Sequence, residues 1–310
     1  MKKFRLAAII LCIIIPLSVL SGCKKVFETA ADVPLFPVLI NGIVIDKRPA
    51  RVACLSASVY EIAADFGYES QIAFLAEDIK RNPSETSAKT EESETIKIGT
   101  AAAPNIDGLI AAAPDLIITT ERLNKRDLDR LSAAERKVII LSPAKNLAEL
   151  DEYYKNIGTA FGGTLSPVYS DIVIKDGTVV NDGSSVAEGF YKNIATLIES
   201  HSAERKTSFV YVLSVSPPIA ATNDTFAGNI ISYFGENLGE GSTTGVETGF
   251  VGSLPSKVFA ALPLGGANLA PLDLGVVPDD VISLDNSAFM LQSPSKLTDV
   301  INTIIERMGE

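Results

Sequence analysis

The sequence predicts an α/β protein of two lobes with mostly parallel sheets, joined by one long bridging helix. Three observations predict it. Short apolar runs alternate with helical segments of about ten residues, the pattern of a helix-flanked parallel sheet. The runs at 52–55 (VACL), 116–119 (LIIT) and 138–141 (VIIL) are apolar, as strands buried on both faces are. The alternation stops after Gly163 and resumes at Phe209, with a long helical segment between.

In chain order, Val38-Leu39-Ile40 and Ile43-Val44-Ile45 flank Asn41-Gly42, the strongest short hairpin signal. Residues 52–55 form a strand. Residues 58–66 form a helix capped by Ser56 or Ser58 and ended by Gly67. Residues 82–95 (NPSETSAKTEESET) read as a polar, flexible loop and 96–99 as a strand. Pro104 opens a helix that Pro114 ends. A strand at 116–120, a helix at 124–135, a strand at 138–141 and a helix at 147–161 complete the first lobe, 35–163. Residues 164–183 read as an inserted hairpin, pairing 172–174 with 178–180. The bridging helix follows at 184–200, within a segment assigned to 184–204. The second lobe, 205–310, has strands at 209–213 and 281–284, a helix at 229–234 and a closing helix at 295–308. In that last helix Leu297, Val300, Ile301, Ile304 and Ile305 share one face.

A targeting segment precedes the lobes. Lys2, Lys3 and Arg5 lead an apolar run from Leu6 to Leu20, followed by Ser21-Gly22-Cys23. That is a secretory signal. Its run of about 15 residues falls short of the roughly 20 a spanning helix needs. Residues 1–22 are expected to be cleaved and 23–34 to form a tether. Cleavage takes 22 of 310 residues and leaves 288; it removes three of 27 cations, leaving 24 against 38 acids, a net charge of −14. Such a chain has no electrostatic affinity for nucleic acid. With Cys12 in the leader and Cys23 at the cleavage site, Cys54 stands alone and the fold has no internal disulfide. It reads as a small buried apolar residue.

Catalytic signals are weak. His201, the one histidine, sits at a polar helix end. Phosphate- and dinucleotide-binding loops and a nucleophile elbow are absent from the sequence. Too few histidines and cysteines are present for a zinc site. Binding signals are better, because loops at the carboxyl ends of parallel strands form the ligand crevice of open α/β sheets. These loops carry Ser56, Ser58 and Tyr60, then Thr100, Arg122 and Lys145, and in the second lobe Phe226, Asn286 and Phe289. With no Trp in the chain, aromatic stacking falls to Tyr60, Phe226, Phe250 or Phe289. Arg122 and Lys145 suit either an anionic ligand or simple solvation as loop cations.

Residues 51–68 (RVACLSASVYEIAADFGY) and 99–119 (GTAAAPNIDGLIAAAPDLIIT) resemble the substrate-binding proteins of iron-siderophore, haem and cobalamin ABC importers, the class III periplasmic binding proteins. So do 138–143 (VIILSP), 209–214 (FVYVLS), 221–235 (ATNDTFAGNIISYFG) and 282–297 (ISLDNSAFMLQSPSKL). The resemblance covers most of 36–308. Residues 254–275 depart from it, lacking an acid and a Pro-Asp strand. The resemblance implies a rigid ligand cleft between the lobes. Ser21-Gly22-Cys23 resembles a lipobox, which implies a diacylglycerol on Cys23 and a monomer anchored at the extracytoplasmic face of the cell membrane. It implies a chelate ligand, permease and ATPase subunits as partners, and no enzyme activity, cofactor or metal of its own. Asp107 occupies the position of a transporter-docking acid. In the other lobe Ser256 and Lys257 stand where an acid is expected, with Glu247 as a substitute. Competing readings are a non-transport lipoprotein acting as sensor or scaffold, a zinc- or manganese-binding protein, and a chelatase-like enzyme.

Overall fold

The computed structural model describes residues 26–27, 29–81, 97–166, 173–174, 180–202, 207–215, 218–239, 256–261 and 281–308. The chain divides into two units, one of 36–164 with 182–310 and one of 1–35 with 165–181.

In the smaller unit, strand β1 (Val26–Phe27) pairs in parallel with Val173–Ile174, and a 3-10 turn spans Ala30–Asp32. The expected second arm of the 164–183 hairpin falls largely outside the described residues.

The larger unit begins with the predicted hairpin. β2 (Val38–Ile40) and β3 (Ile43–Ile45) pair antiparallel, with Val38 opposite Ile45. Asn41 and Gly42 both take positive φ, 49° and 81°, as the two-residue turn matching strand twist requires. Val38, Ile40 and Ile45 are buried while Leu39 and Val44 face outward, the alternation of a half-buried ribbon.

Next come β4 (Val52–Cys54), α1 (Ala57–Asp65), β5 (Ile72–Leu75), α2 (Ile106–Ala112), β6 (Leu116–Thr119), α3 (Lys125–Ala133), β7 (Val138–Ile140) and α4 (Leu147–Gly162). The sheet order is β5-β4-β6-β7, all parallel. Every residue of β4 and β6 is buried, because helices cover both faces. Ala53, Leu55, Ile117, Leu109 and Leu131 pack on one face; Cys54, Ile118, Val59, Tyr154 and Ile157 pack on the other.

The two-residue strand β8 (Val173–Ile174) is the partner of β1. Beyond it α5 (Gly183–His201) bridges to the second lobe. That lobe holds β9 (Ser208–Val215), β10 (Pro218–Ala220), α6 (Phe226–Ile231), β11 (Glu236–Asn237), β12 (Lys257–Ala261), β13 (Val281–Leu284), α7 (Asn286–Leu291) and α8 (Pro294–Met308). Its sheet runs β10-β9-β12-β13 with β11 also on β9, all parallel except β10.

Helix starts are encoded locally. Ser56, Asn105, Asn124, Asn146, Asp182, Thr225 and Asp285 each accept a hydrogen bond from a backbone N–H in the first turn. Such a cap is worth about 1 kcal/mol. The bridging helix sits tightly on α4: a Cβ at Gly183 would collide with the Gly158 carbonyl, and one at Gly162 with Gly183. Glycine is needed at this crossing because the two backbones touch.

Several expectations are corrected. Residues 97–99 form no sheet strand: Gly99, at φ 80°, makes a lone bridge to Pro104, since that backbone cannot continue a ladder. The helix expected at 229–234 starts at Phe226, because Thr225 caps it through Gly228 N at 3.1 Å. Residues 286–289 are helical rather than loop, with Asp285 as cap. Strands β5, β10, β11 and β12 were not anticipated. Residues 82–96 lie outside the described set, as do Cys23, Glu247 and Phe250.

Candidate ligand site between the lobes

The parallel sheet of the first lobe presents the carboxyl ends of β4, β6 and β7 on one side. Ser56, directly after β4, is buried. Its hydroxyl accepts from Val59 N at 3.4 Å and from the Thr120 hydroxyl at 3.0 Å. Thr119 Oγ1 accepts from Glu121 N, which turns the chain outward so that Arg122 is exposed. After β7 the chain runs through exposed Ser142 and Pro143 to buried Ala144 and exposed Lys145. Neither Arg122 nor Lys145 forms an ion pair with a described residue. The loop of Thr100 joins the same sheet end: Glu77, after β5, donates its N–H to Gly99 O, and Ala101 N donates to Asp78.

The hairpin reaches this end too. Asn41 Nδ2 donates to the carbonyl of Ile140, the last residue of β7, at 2.8 Å. Lys137 pairs with Asp46 at the other end of β7.

Beside these loops a polar seam closes the second lobe onto the first. The Ser58 hydroxyl donates to the Leu291 carbonyl at 2.6 Å and meets the Tyr153 hydroxyl at 2.9 Å. Tyr154 OH donates to the Gln292 carbonyl at 2.6 Å. Asp65 accepts from Ser293 Oγ, Ser295 N and Ser295 Oγ at 2.8–3.0 Å. Lys296 lies 3.3 Å from Glu61. Farther along, Leu147 N donates to Asn229 at 3.3 Å.

Burial sets the protonation state here. It pushes the Cys54 thiol up to about 12 and raises the Tyr153, Tyr154 and Tyr211 phenols well above their ordinary value. All four are neutral at physiological pH and serve as dipolar partners.

The expected site residues therefore separate. Arg122, Lys145 and half-buried Thr100 lie on the loops at the sheet end. Ser56 and Ser58 are buried, and Ser58 is spent on the seam. Tyr60 is fully enclosed in the first-lobe core, its hydroxyl donating to Glu69 at 2.7 Å. On α1 it points the opposite way from the sheet end. Phe226 and Phe289 are core residues, Phe289 packing on the Tyr211 ring at 5.7 Å. Asn286 accepts from Tyr211 OH at 2.9 Å. Asp107 is exposed and paired with Arg130. No trio of His, Cys, Asp or Glu able to hold a metal occurs among the described residues, and none of the described helices is long and apolar enough to cross a membrane. Gln292 was missed altogether; its signal, a polar residue before Ser-Pro at a helix start, is local and unspecific.

The fold is that of the class III periplasmic binding proteins, two α/β lobes joined by a long helix. Among solved structures it is similar to the iron uptake ABC transporter substrate-binding protein PiuA from Streptococcus pneumoniae, at 14% identity and a TM-score of 0.61, covering 88% of this chain and 99% of that one. The periplasmic haem binding protein HutB of Vibrio cholerae matches at 14% identity and 0.61, over 83% and 97% of the two chains. The periplasmic vitamin B12 binding protein BtuF of Vibrio cholerae matches at 17% and 0.56, over 84% and 97%. No family model and no curated protein matches the sequence.

Proposed function

We propose that this chain is an extracytoplasmic solute-binding lipoprotein. It captures an iron-siderophore, haem or cobalamin-type chelate between its lobes and delivers it to an ABC importer. The observation that carries this reading is the fold: it matches an iron uptake ABC transporter substrate-binding protein, a haem binding protein and a vitamin B12 binding protein over nearly their whole lengths. Two cations, Arg122 and Lys145, on loops at the carboxyl ends of neighbouring strands pair with no acid among the described residues and favour an anionic chelate. Thr100 and Asn286 add polar contacts. Asp107 meets the permease by exchanging Arg130 for a permease cation. Cys23 carries the diacylglycerol, and residues 23–34 serve as the tether. The lobes are 35–163 and 205–310.

The test is a thermal-shift screen with ferric siderophores, haemin, cyanocobalamin and simple metal salts. A ligand that binds only the native state raises its melting temperature, and one chelate class is expected to do so. A folded protein that responds to no chelate refutes the reading. Arg122→Ala is expected to weaken an anionic chelate and leave a neutral one nearly untouched. Labelled fatty acid on Cys23→Ala would refute the anchor.

A further inference from the structure

We infer that Gln292 is the positioning residue of the ligand site: it holds the loop 142–145 of the first lobe from the second. The inference rests on the function proposed above, since it takes that loop as part of the site. The side chain of Gln292 is buried, 3% exposed. Its Oε1 accepts from Ala144 N at 3.0 Å and its Nε2 donates to Ala144 O at 2.7 Å. One carboxamide thus satisfies both backbone groups of a buried residue, as a neighbouring strand would. The match has one orientation only: rotating the amide by half a turn sets oxygen against oxygen and N–H against N–H.

The backbone of Gln292 is equally committed. Its N–H closes α7 on Ala288 O at 2.9 Å, and its carbonyl accepts from Tyr154 OH. It stands at φ 55°, in the left-handed region, where Gly or Asn is the usual choice at a helix end. A longer side chain in this strained conformation is explained by what its amide reaches. The contacts on either side, Ser58 to Leu291 and Asp65 to Ser293, prevent the segment from sliding.

Ala144 lies between the exposed pair Ser142-Pro143 and exposed Lys145. Removing the amide leaves two buried backbone groups unpaired, and they regain partners only if the loop moves toward water. The placement of Lys145 on the loop after β7 therefore depends on a residue of the opposite lobe. A loop fixed beforehand loses less freedom when a ligand binds.

The test uses the full chain with Gln292→Glu, which keeps an acceptor for Ala144 N but opposes Ala144 O with a carboxylate. Gln292→Met, uncharged and of similar length, serves as the second variant. Hydrogen exchange is followed in peptides covering 141–147 and, as a core reference, 116–119. Both variants are expected to exchange about tenfold faster at 141–147 with the reference unchanged. Unchanged exchange at 141–147 overturns the inference; equal acceleration in both peptides marks a purely structural residue and also overturns it. Haemin, cyanocobalamin and ferric citrate are then titrated. A probe that stabilises the wild type is expected to bind the variants about tenfold more weakly, and equal affinity overturns the positioning role. The proposed function stands or falls on the wild-type response alone, so the two failures are distinguishable.

Discussion

Replacing Asp65 by alanine should loosen the seam between the lobes without touching either sheet. Asp65 ends α1, yet its carboxylate caps α8 in the other lobe by accepting from Ser295 N at 3.0 Å, Ser293 Oγ at 2.8 Å and Ser295 Oγ at 3.0 Å. Loss of a helix N-cap costs about 1 kcal/mol. Hydrogen bonds to a charged group contribute roughly 1.5–3 kcal/mol each, but here they share one carboxylate and are not additive. Ser293 Oγ keeps its contact with Ser295 Oγ at 3.1 Å, which limits the penalty. The expected loss is about 2–4 kcal/mol. At roughly 2–4 °C per kcal/mol for a chain somewhat smaller than this one, the melting temperature should fall by about 4–16 °C. Calorimetry and urea titration read it. Asp65→Asn retains one acceptor oxygen and should lose about half as much. A change within about 0.5 kcal/mol for Asp65→Ala, the range of an ordinary surface substitution, would refute the cap across the lobes.

Three further outcomes follow from other parts of the fold. Gly183→Ala drives a methyl into the Gly158 carbonyl at the bridging-helix crossing and should cost at least about 1–3 kcal/mol, seen as a lowered urea midpoint. Cys54, with its thiol raised to about 12, loses its proton first in the unfolded chain. Its contribution is therefore complete below about pH 9 and is lost as pH rises toward about 12. The buried tyrosines add to that trend, and Cys54→Ala should make the decline between pH 9 and 11 shallower; native Cys54 should also resist iodoacetamide at pH 8 until urea is added. Asp107→Lys removes an exposed pair with Arg130 and should change stability by less than about 1 kcal/mol. It should lower uptake and ATPase stimulation by the cognate importer, and normal uptake at normal abundance would end the docking role of Asp107.

Much of the fold is local and was legible. Asn41-Gly42 dictates its turn because both positions need positive φ, and the apolar runs of β4, β6 and β7 can be buried only in a covered sheet. Asn124 and Asn146 mark helix starts by their own chemistry. Not every element was read. Strand β5 lies in an apolar run, Ile72–Ala76, as long as those of β4, β6 and β7, so it was legible and was overlooked; it pairs with the open edge of β4. Strand β12 is central, but Lys257–Ala261 lies in a stretch whose pattern is diluted by Pro and Gly.

The candidate site divides the same way. Sequence by itself determined which residues stand after β6 and β7, and so placed Arg122 and Lys145 on loops at one sheet end; Thr100 follows no strand and reaches that end only through tertiary contacts of its loop with Glu77 and Asp78. Direction along a helix and partners across the lobes were decided only by tertiary structure. Tyr60 is four residues from Ser56, yet it turns into the core and bonds Glu69. Ser58 looks free in sequence, but Leu291, more than two hundred residues away, takes its hydroxyl. Gln292 carries no specific signal because its role lies in a carboxamide meeting the backbone of Ala144. Backbone groups are the same in every residue but proline, so nothing in either local sequence records the meeting.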